Sequence, residues 1–420
     1  MSEPFFGCIG RRLTHSYSKE IHAQLAPYEY ELYPMEPETV GDFVTNPSLG
    51  GINVTIPYKR EVMKYLDFID PQADSVGAVN TVVRRDGKLF GYNTDVFGME
   101  SLIKKNGLDI NNKKVLILGT GGTSLTALTA SKELGAREAV RVSRTARDGA
   151  VTYEDAVRLC SDADIIINTT PVGMFPDTVG LAPVDLSAFP SLSGVVDVIY
   201  NPLRSSLVLE AEKRGIPACG GLYMLVFQAK RAAELFTGNE ISDEKGEEVY
   251  RKIYNSKCNI VLTGMPASGK STVGGVLAKR LGRDFFDTDG LVEKEDGMKI
   301  SEIFEKYGEK YFRDAESRVI KSLENKTGAV ISTGGGSVLR EENVRALKAN
   351  GKIFFLDRLL RYLMPTDTRP LASTVEAIEK RYAERHDIYL ATADERISPR
   401  KTPEGTAQLI LNAMNNSEVK

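Results

Sequence analysis

A glycine-rich segment in the second half of the chain has the residue types and spacing of a phosphate-binding loop. The segment Gly264–Thr272 (GMPASGKST) follows the apolar run Ile260–Leu262 and precedes the amphipathic stretch Val273–Leu281. A strand, a glycine-rich turn and a helix in this order surround an anion with backbone N–H groups and the positive end of the helix. Lys270 is predicted to reach the terminal phosphates of a nucleotide, and the Ser271 hydroxyl to bind Mg²⁺. The predicted nucleotide-binding residues are Gly264, Ser268, Gly269, Lys270, Ser271 and Thr272.

Two carboxylates, two arginines and a glycine triplet follow this loop. Asp287 and Asp289 come after a short apolar run and face the same side of an extended segment. One is suited to support Mg²⁺ and the other to accept a hydrogen bond from a hydroxyl group. Arg313 and Arg385 carry the planar fork that pairs with a carboxylate. The glycines at Gly334–Gly336 allow a ligand to approach the backbone closely. We predict a kinase that acts on a small molecule.

A second glycine-rich turn lies near the middle of the chain. The apolar run Val115–Leu118 leads into Gly119, Gly121 and Gly122, and the following residues have a helical pattern. Read as the GxGxxG pattern of dinucleotide sites, the third glycine is Ser124, which is still small enough for close packing of helix on strand. The pattern predicts a dinucleotide-binding turn, with an ordinary strand-to-helix turn as the alternative.

The end of the next predicted strand favours NADP(H) over NAD. An NAD-selective site usually has a carboxylate there for the ribose 2′-hydroxyl. Here the positions hold Ser143, Arg144 and Thr145. A guanidinium between two hydroxyls suits a 2′-phosphate, because arginine binds phosphate through a planar fork. The alternative for Arg144 is a solvent-exposed side chain at a strand end.

Hydroxyls, amides and paired charges are frequent near turns in the first 100 residues. On an extended segment, Asn53 and Thr55 face the same side. Hydroxyls and amides suit a polyhydroxylated substrate, while a lysine with an aspartate provides proton transfer. Taken singly, each of these residues is better explained as a turn former or a helix cap than as a catalytic group. The set comprises Ser16, Ser18, Asn53, Thr55, Lys59, Asn80 and Asp95.

Three blocks of secondary structure are predicted to position these residues. The first mixes short strands and helices and has a hairpin about Asp86 and Gly87. The second, from Lys113 to about Cys219, alternates apolar runs with helical segments, which is typical of a parallel sheet covered on both faces. The third begins at Cys258 and is another α/β unit. The predicted strands are Phe5–Ile9, Tyr28–Tyr33, Gly51–Ile56, Ala78–Arg84, Leu89–Tyr92, Val115–Leu118, Ala139–Val142, Ile165–Asn168, Val195–Ile199, Cys258–Thr263, Phe285–Phe286, Ala329–Thr333 and Lys352–Leu356.

The expected fold class is α/β, in four segments. Residues 1–100 form a substrate-binding domain that the helix at 222–240 closes, and residues 101–245 form a Rossmann-type NADP-binding domain. A linker at 246–257 leads to a phosphate-loop kinase domain with a parallel sheet at 258–420. The polar stretch Ser242–Lys257 is the linker candidate, and the spacing of Val249, Ile253 and Tyr254 predicts that it is partly helical.

Composition excludes several classes of partner. The 420 residues are 42% hydrophobic and 26% charged, with a net charge of −3, so no basic surface for nucleic acid or an anionic membrane is expected. The four cysteines lack metal-ligand spacing and are expected to be buried free thiols. The N-terminus has no secretory pattern, so we expect a cytoplasmic protein with small-molecule partners. The oligomeric state is left open.

In its first 240 or so residues the chain resembles shikimate dehydrogenase. The resemblance rests on motifs that occur in the family's order: His15–Ser18, Asn53–Lys59, Gly77–Thr81, Asn93–Asp95, Gly119–Gly122, Asn168–Met174, Asp197–Pro202 and Met224–Gln228. It implies reduction of 3-dehydroshikimate to shikimate with NADPH, with Lys59 and Asp95 beside the reacting oxygen. It also implies that the following residues hold the substrate: Ser16, Ser18, Asn53, Thr55, Asn80, Tyr200 and Gln228.

From Cys258 onward the chain resembles shikimate kinase. The resemblance implies that Asp287 supports Mg²⁺, that Asp289 contacts the accepting 3-hydroxyl, and that Arg369 is a lid arginine at the transferring phosphoryl group. Where the family usually has an arginine on adenine this chain has Tyr362, with Arg361 one residue earlier, so adenine packing is left open. The resemblance assigns shikimate binding to Arg313, Gly334, Gly335, Gly336 and Arg385.

The two resemblances fit each other chemically, because the product of the first reaction is the acceptor of the second. The sequence therefore predicts a bifunctional enzyme that uses NADP(H), ATP and Mg²⁺. Two alternatives stay open: one half is a ligand-sensing module, or the first half is a quinate-type dehydrogenase that uses NAD.

Overall fold

The computed structural model describes residues 3–13, 16–147, 149–176, 180–363 and 374–416, which form three β-sheets with flanking helices. The predicted α/β class is confirmed. Within these residues, every helix is too short or too polar to cross a lipid bilayer. The four cysteines are buried, as expected.

The first sheet is mixed and has the strand order β2-β1-β3-β5-β6-β4. β1 runs parallel to β2 and β3, whereas β5 is antiparallel to β3 and β6. The predicted hairpin is confirmed: Asp86 and Gly87 have φ of 51° and 79° and join β5 to β6. The elements are β1 (Phe5–Gly10), α1 (Ser18–Leu25), β2 (Tyr30–Pro34), α2 (Val40–Thr45), β3 (Leu49–Val54), β4 (Phe68–Ile69), α3 (Pro71–Val76), β5 (Thr81–Arg85), β6 (Lys88–Tyr92) and α4 (Thr94–Lys105).

The second sheet is wholly parallel in the order β12-β11-β10-β7-β8-β9. Helix α8 ends at Gly238, which has φ of 72° and gives the expected glycine stop. The elements are β7 (Lys114–Leu118), α5 (Gly122–Glu133), β8 (Glu138–Ser143), β9 (Val151–Thr152), α6 (Tyr153–Leu159), β10 (Ile165–Asn168), β11 (Gly194–Asp197), α7 (Ser206–Lys213), β12 (Ala218–Cys219), α8 (Leu222–Thr237) and α9 (Asp243–Lys257).

The third sheet is also parallel, in the order β14-β15-β13-β16-β17. Its central strand β13 leads into the predicted phosphate-binding loop. The elements are β13 (Asn259–Thr263), α10 (Lys270–Leu281), β14 (Phe285–Asp287), α11 (Thr288–Asp296), α12 (Ile300–Leu323), β15 (Val330–Ser332), α13 (Glu341–Ala349), β16 (Gly351–Leu356), α14 (Val375–Thr392), β17 (Glu395–Ile397) and α15 (Pro403–Asn416).

Helix α9 connects the two parts of the chain through a continuous core. The stretch that the sequence predicts as a partly helical linker is helical throughout. Val249, Tyr250 and Ile253 of α9 are buried in one apolar cluster with Phe227 of α8 and Leu277 of α10. The apolar spacing that predicts partial helicity is therefore the face that packs into this core. The domain limits themselves stay a prediction.

Four short strands, β4, β9, β12 and β17, are absent from the strands predicted from the sequence. Each has only two or three residues, which is too few for an apolar period to stand out. They extend the edges of the sheets and carry none of the predicted site residues.

His22 on α1 is a buried base beneath the first sheet. Its ring stacks on Tyr30 with centroids 3.9 Å apart, and its Nδ1 lies 2.7 Å from the Tyr28 hydroxyl. Burial lowers the pKa of His22 to about 3. Between this value and the ordinary pKa of about 6.5, the unfolded chain binds a proton that the folded chain does not. The folded state therefore loses stability as the pH falls below about 6.5.

We expect His22→Phe to flatten the acid side of the stability profile, because phenylalanine keeps the stacking and cannot be protonated. Protonation of the histidine in the unfolded chain lowers the free energy of unfolding by about 2 kcal/mol between pH 7 and pH 5. The measurement is the melting temperature of both proteins at the two pH values. An equal fall in melting temperature for wild type and variant would contradict the assignment.

Candidate functional site

The first candidate site is a cavity of about 180 Å³ between the first and second sheets. Thr123 of α5 and Val198 after β11 reach it from the second sheet. Ser16 is not among the lining residues, but its Oγ accepts a hydrogen bond from the Ser18 N–H at 3.2 Å beside the cavity. The structure thus brings together eight of the predicted residues: Ser18, Asn53, Thr55, Lys59, Asn80, Asp95, Tyr200 and Gln228.

Lys59 and Asp95 form the charged pair of this cavity. The Lys59 ammonium lies 2.5 Å from Asp95 Oδ2, and the side chains are 19% and 12% exposed. The other carboxylate oxygen accepts a hydrogen bond from Asn80 Nδ2 at 2.9 Å. Asp95 lies in the first turn of α4, where Asn93 caps the helix. Both carboxylate oxygens are thus held, and Asp95 orients the ammonium toward the cavity.

Hydrogen bonds from neighbouring strands orient the amides of the cavity. Asn53 Oδ1 accepts from the Tyr30 hydroxyl at 2.7 Å, and Asn53 Nδ2 donates to Thr81 Oγ1 at 3.1 Å. Asn80 Oδ1 accepts from the Thr94 N–H at 2.7 Å. Tyr30, Thr81 and Thr94 received no role from the sequence. Tyr30 lies outside the motifs, whereas Thr81 and Thr94 lie inside two of them, next to the assigned Asn80 and Asp95.

The glycine turn after β7 has the geometry of an anion site. Gly119 has φ of 114°, and a Cβ there would lie 2.7 Å from Thr169 Oγ1, so the position requires glycine. Helix α5 begins at Gly122 after Gly121, which offers no capping side chain, and a Cβ at either position would meet no atom within 4 Å. Ser124 Oγ donates to the Gly121 carbonyl at 2.7 Å. The first N–H groups of α5 therefore remain available to the pyrophosphate of a dinucleotide.

A basic edge flanks this turn. Ser143 ends β8 and is buried, whereas Arg144 and Thr145 are exposed. Arg147, which sequence reasoning missed, donates a hydrogen bond to Thr120 Oγ1 at 3.1 Å inside the turn. Two guanidiniums thus accompany the predicted dinucleotide site. The arginines that recur between Arg137 and Arg147 in the sequence were the one available signal for Arg147.

The second candidate site is the loop between β13 and α10. Gly264 and Gly269 have φ of 142° and 96°, and Lys270 Nζ donates to the carbonyls of Gly264 and Met265 at 2.9 Å each. Ser268 Oγ is buried and has no hydrogen-bond partner among the described residues. A nucleotide phosphate fits this loop, because it would satisfy the serine hydroxyl and attract the lysine. Thr272 lies in the first turn of α10 and is exposed.

The oxygen ligands predicted for Mg²⁺ lie together. Ser271 Oγ donates to Asp287 Oδ2 at 2.6 Å. Asp287 Oδ1 accepts from the N–H groups of Asp289 and Gly290 at 3.1 and 3.3 Å, which fixes the carboxylate at the start of α11. A hydroxyl and a carboxylate at this spacing fit the oxygen preference of Mg²⁺.

The remaining predicted residues of the second part lie around the glycine triplet after β15. A Cβ on Gly334 would overlap Asp289 Oδ1, and a Cβ on Gly336 would overlap the Arg313 guanidinium. Arg385 donates to the Gly335 carbonyl at 3.2 Å. The pocket therefore combines two guanidiniums with the carboxylate of Asp289, next to the phosphate-binding loop.

Glu316 and Tyr389 support this pocket. Glu316 is buried, lies 2.7 Å from Arg313 NH1 and accepts from Ser337 Oγ at 2.6 Å. Tyr389 is fully buried and donates to the Gly335 carbonyl. Sequence reasoning assigned no role to Glu316, because a lone acid on a helix gives no signal.

Arg369 lies outside the described residues. Tyr362 is exposed, with the Arg361 guanidinium 5.0 Å from its ring centroid.

Known proteins resemble the chain in two separate parts. A shikimate kinase family model matches residues 266–415, and a model of the shikimate dehydrogenase substrate binding domain matches residues 8–82. The shikimate dehydrogenase (NADP(+)) of Clostridium beijerinckii is 34% identical over 263 residues, which are 59% of this chain and 96% of that relative.

Solved structures agree for the first part of the chain. Shikimate dehydrogenase 1 from Peptoclostridium difficile is 36% identical with a TM-score of 0.55, covering 60% of this chain and 97% of that structure. Shikimate 5-dehydrogenase from Thermus thermophilus, solved in complex with NADP(H) and shikimate, is 28% identical with a TM-score of 0.54, covering 59% and 99%. The chain therefore belongs to the shikimate dehydrogenase family and carries a shikimate kinase domain after the dehydrogenase part.

Proposed function

We propose that this enzyme reduces 3-dehydroshikimate to shikimate with NADPH and then phosphorylates shikimate at its 3-hydroxyl with Mg-ATP. The observation that carries the proposal is the presence of both sites in one chain: a Lys59–Asp95 pair beside a dinucleotide turn, and Asp289 with two arginines beside a phosphate-binding loop. The proposed limits are a dehydrogenase part up to about 245 and a kinase part from 258.

In the dehydrogenase part, NADPH supplies the hydride when it is bound. Lys59 donates a proton to the ketone oxygen and stabilises the negative charge that develops on it. Asp95 holds the ammonium in place at 2.5 Å. The hydroxyls and amides around the cavity bind the ring hydroxyls and the carboxylate of the substrate: Ser16, Ser18, Asn53, Thr55, Asn80, Tyr200 and Gln228.

In the kinase part, Mg-ATP supplies the phosphoryl group when it is bound. Asp289 accepts a hydrogen bond from the 3-hydroxyl and orients it for attack, while Arg313 and Arg385 bind the shikimate carboxylate. Lys270 neutralises charge on the phosphates, and we assign the same role to the lid residue Arg369. Closure of such a lid would exclude water, the competing acceptor.

The coupled assay tests the whole proposal, with 3-dehydroshikimate, NADPH and Mg-ATP as reactants and identification of the product by mass. Lys59→Ala and Lys270→Ala are assayed separately. Each is expected to lower only its own activity, by about 10²-fold or more, because it removes a proton donor or a phosphate ligand. Lys64→Ala, an exposed lysine close to Lys59 in the chain, is the control. A variant that loses both activities would contradict two independent sites. A variant that keeps both activities would contradict them as well.

That experiment also tests the alternative in which one half only senses a ligand. A sensing module would leave one of the two substitutions without effect on catalysis. The quinate alternative is tested by comparing rates with shikimate and quinate and with NADP and NAD. A higher kcat/KM for quinate with NAD would favour it.

Arg144→Ala is expected to raise the KM for NADPH about tenfold and to leave the KM for 3-dehydroshikimate within twofold. The reason is that an arginine–phosphate contact is made with the cofactor alone. Arg137→Ala, an exposed arginine just before β8, is the matched control. Equal changes in both KM values would argue against the 2′-phosphate role.

Asp289→Asn is expected to lower the kcat of phosphorylation by about 10²-fold and to leave dehydrogenation unchanged, because the amide is a much weaker hydrogen-bond acceptor for the hydroxyl. Glu295→Gln on the same helix, whose partner is the exposed Arg318, serves as the control. Initial rates of ADP release and NADPH oxidation measure the two effects. Full kinase activity in the Asp289→Asn enzyme would remove Asp289 from the mechanism.

A further inference from the structure

Arg204 of the dehydrogenase part reaches into the kinase part. Its guanidinium donates to Asp394 Oδ1 and Oδ2 at 2.8 and 3.2 Å, to the Lys348 carbonyl at 3.1 Å and to the Gly351 carbonyl at 2.5 Å. The two charged side chains are 18% and 16% exposed. Burial alone would raise the pKa of Asp394, but Arg204 more than offsets this, and the pKa lies below its ordinary value.

The backbone beside Arg204 is bound to the same surface. The Arg204 N–H donates to the Ala349 carbonyl at 2.9 Å, and the Leu203 N–H donates to Asn350 Oδ1 at 3.0 Å. Asn350 is itself buried and held by the Glu324 carbonyl at 3.1 Å. The hydrogen bonds of both backbone N–H groups and of the guanidinium go to the kinase part, so the position of this loop depends on that part.

This loop is the one that carries Tyr200 into the dehydrogenase cavity. Val198 and Tyr200 line the cavity, and Arg204 follows four residues after the tyrosine. The other end of the loop is fixed by the buried Asp197, which accepts hydrogen bonds from the Ile199 N–H at 3.0 Å and from Ser205 Oγ at 2.6 Å. Val198 and Tyr200 thus lie on a loop that is held at two points. Asp197 of the dehydrogenase part holds one end, and the kinase part holds the other end through Arg204.

A second contact reaches the same wall of the cavity. Lys257, at the end of α9 where the kinase part begins, lies 2.6 Å from Glu20 Oε2 and 4.7 Å from the centre of the Tyr17 ring. The Tyr17 ring packs 5.2 Å from the Tyr200 ring. Tyr17 lies between the two serines predicted to bind the substrate. Two separate contacts therefore converge on the Tyr17–Tyr200 wall, one from the kinase part through Arg204 and one from Lys257 at the end of α9.

We propose that Arg204 and Asp394 are positioning residues of the dehydrogenase: the kinase part holds the 198–204 loop so that Tyr200 closes the wall of the substrate cavity. The inference rests on the proposed function, since it concerns the binding of shikimate in that cavity. The affinity of the dehydrogenase for its ring substrate then depends on a carboxylate of the kinase part, 190 residues away in the chain.

The test uses the full chain with Arg204→Met, Asp394→Asn and the double variant. We expect each to raise the KM for shikimate in NADP reduction by about tenfold, because a displaced wall residue weakens binding and orientation. The KM for NADP is expected to stay within twofold. The double variant should be no worse than the worse single variant, because both remove the same contact. Arg204→Lys, which keeps the charge but loses the fork, should fall between wild type and Arg204→Met.

Lys213→Ala is the matched control, because its exposed pair with Glu341 also joins the two parts but is made by α7 and not by the 198–204 loop. An unchanged KM for shikimate in Arg204→Met overturns the proposal, as does an equal loss in kcat for both activities with all KM values unchanged. If Arg204→Met does not fold, the KM for shikimate of Arg204→Lys and of Asp394→Asn decides the question: an unchanged KM in both overturns the proposal. Wild-type enzyme that does not oxidise shikimate would instead refute the proposed function.

Discussion

Both reaction sites depend on the N–H groups left unpaired where a helix follows a parallel strand. β7 leads through Gly119 into α5, and β13 leads through Gly264 into α10. In each case glycine conformations turn the chain so that the helix start faces outward. Because these N–H groups carry partial positive charge, each turn attracts a phosphate, and cations beside the turn such as Lys270 and Arg147 add to this attraction. Some side chains proposed to act on the substrates follow neighbouring strand ends, whereas Arg313 and Arg385 come from helices.

The two sites use this arrangement differently. In the dehydrogenase part, the proposed proton-transfer pair follows strands of a separate mixed sheet, so the candidate cavity lies between two sheets and its shape depends on how they meet. In the kinase part, Asp287 and the glycine triplet stand at the ends of β14 and β15 in the same sheet as the phosphate loop. The residues at these strand ends of the kinase pocket therefore lie at one end of a single sheet, whereas residues that follow two different sheets line the dehydrogenase cavity.

Local patterns account for what could be predicted from the sequence. Glycine turns, apolar runs and the hairpin at Asp86 are contiguous in the chain, and the α/β class and most strands follow from them. The grouping of Lys59 with Asp95 came from motif order. Arg147 and Tyr30 were not recognised, because their partners Thr120 and Asn53 are distant in sequence. Glu316 was not recognised because its pairing with Arg313 resembles an ordinary ion pair within a helix. The pairing of Arg204 with Asp394 gives no local signal at all.

Helix α9 has a consequence for the fusion itself. Tyr250 and Ile253 are covered on one side by α8 and belong to the same apolar cluster as Leu277 and Met414 of the kinase part. Cutting the chain at Cys258 would leave each product with an exposed apolar surface where the other part had packed, and such surfaces promote aggregation. The two parts are thus joined by a continuous packed core rather than by a flexible linker, and this packing sets the distance between the two candidate sites.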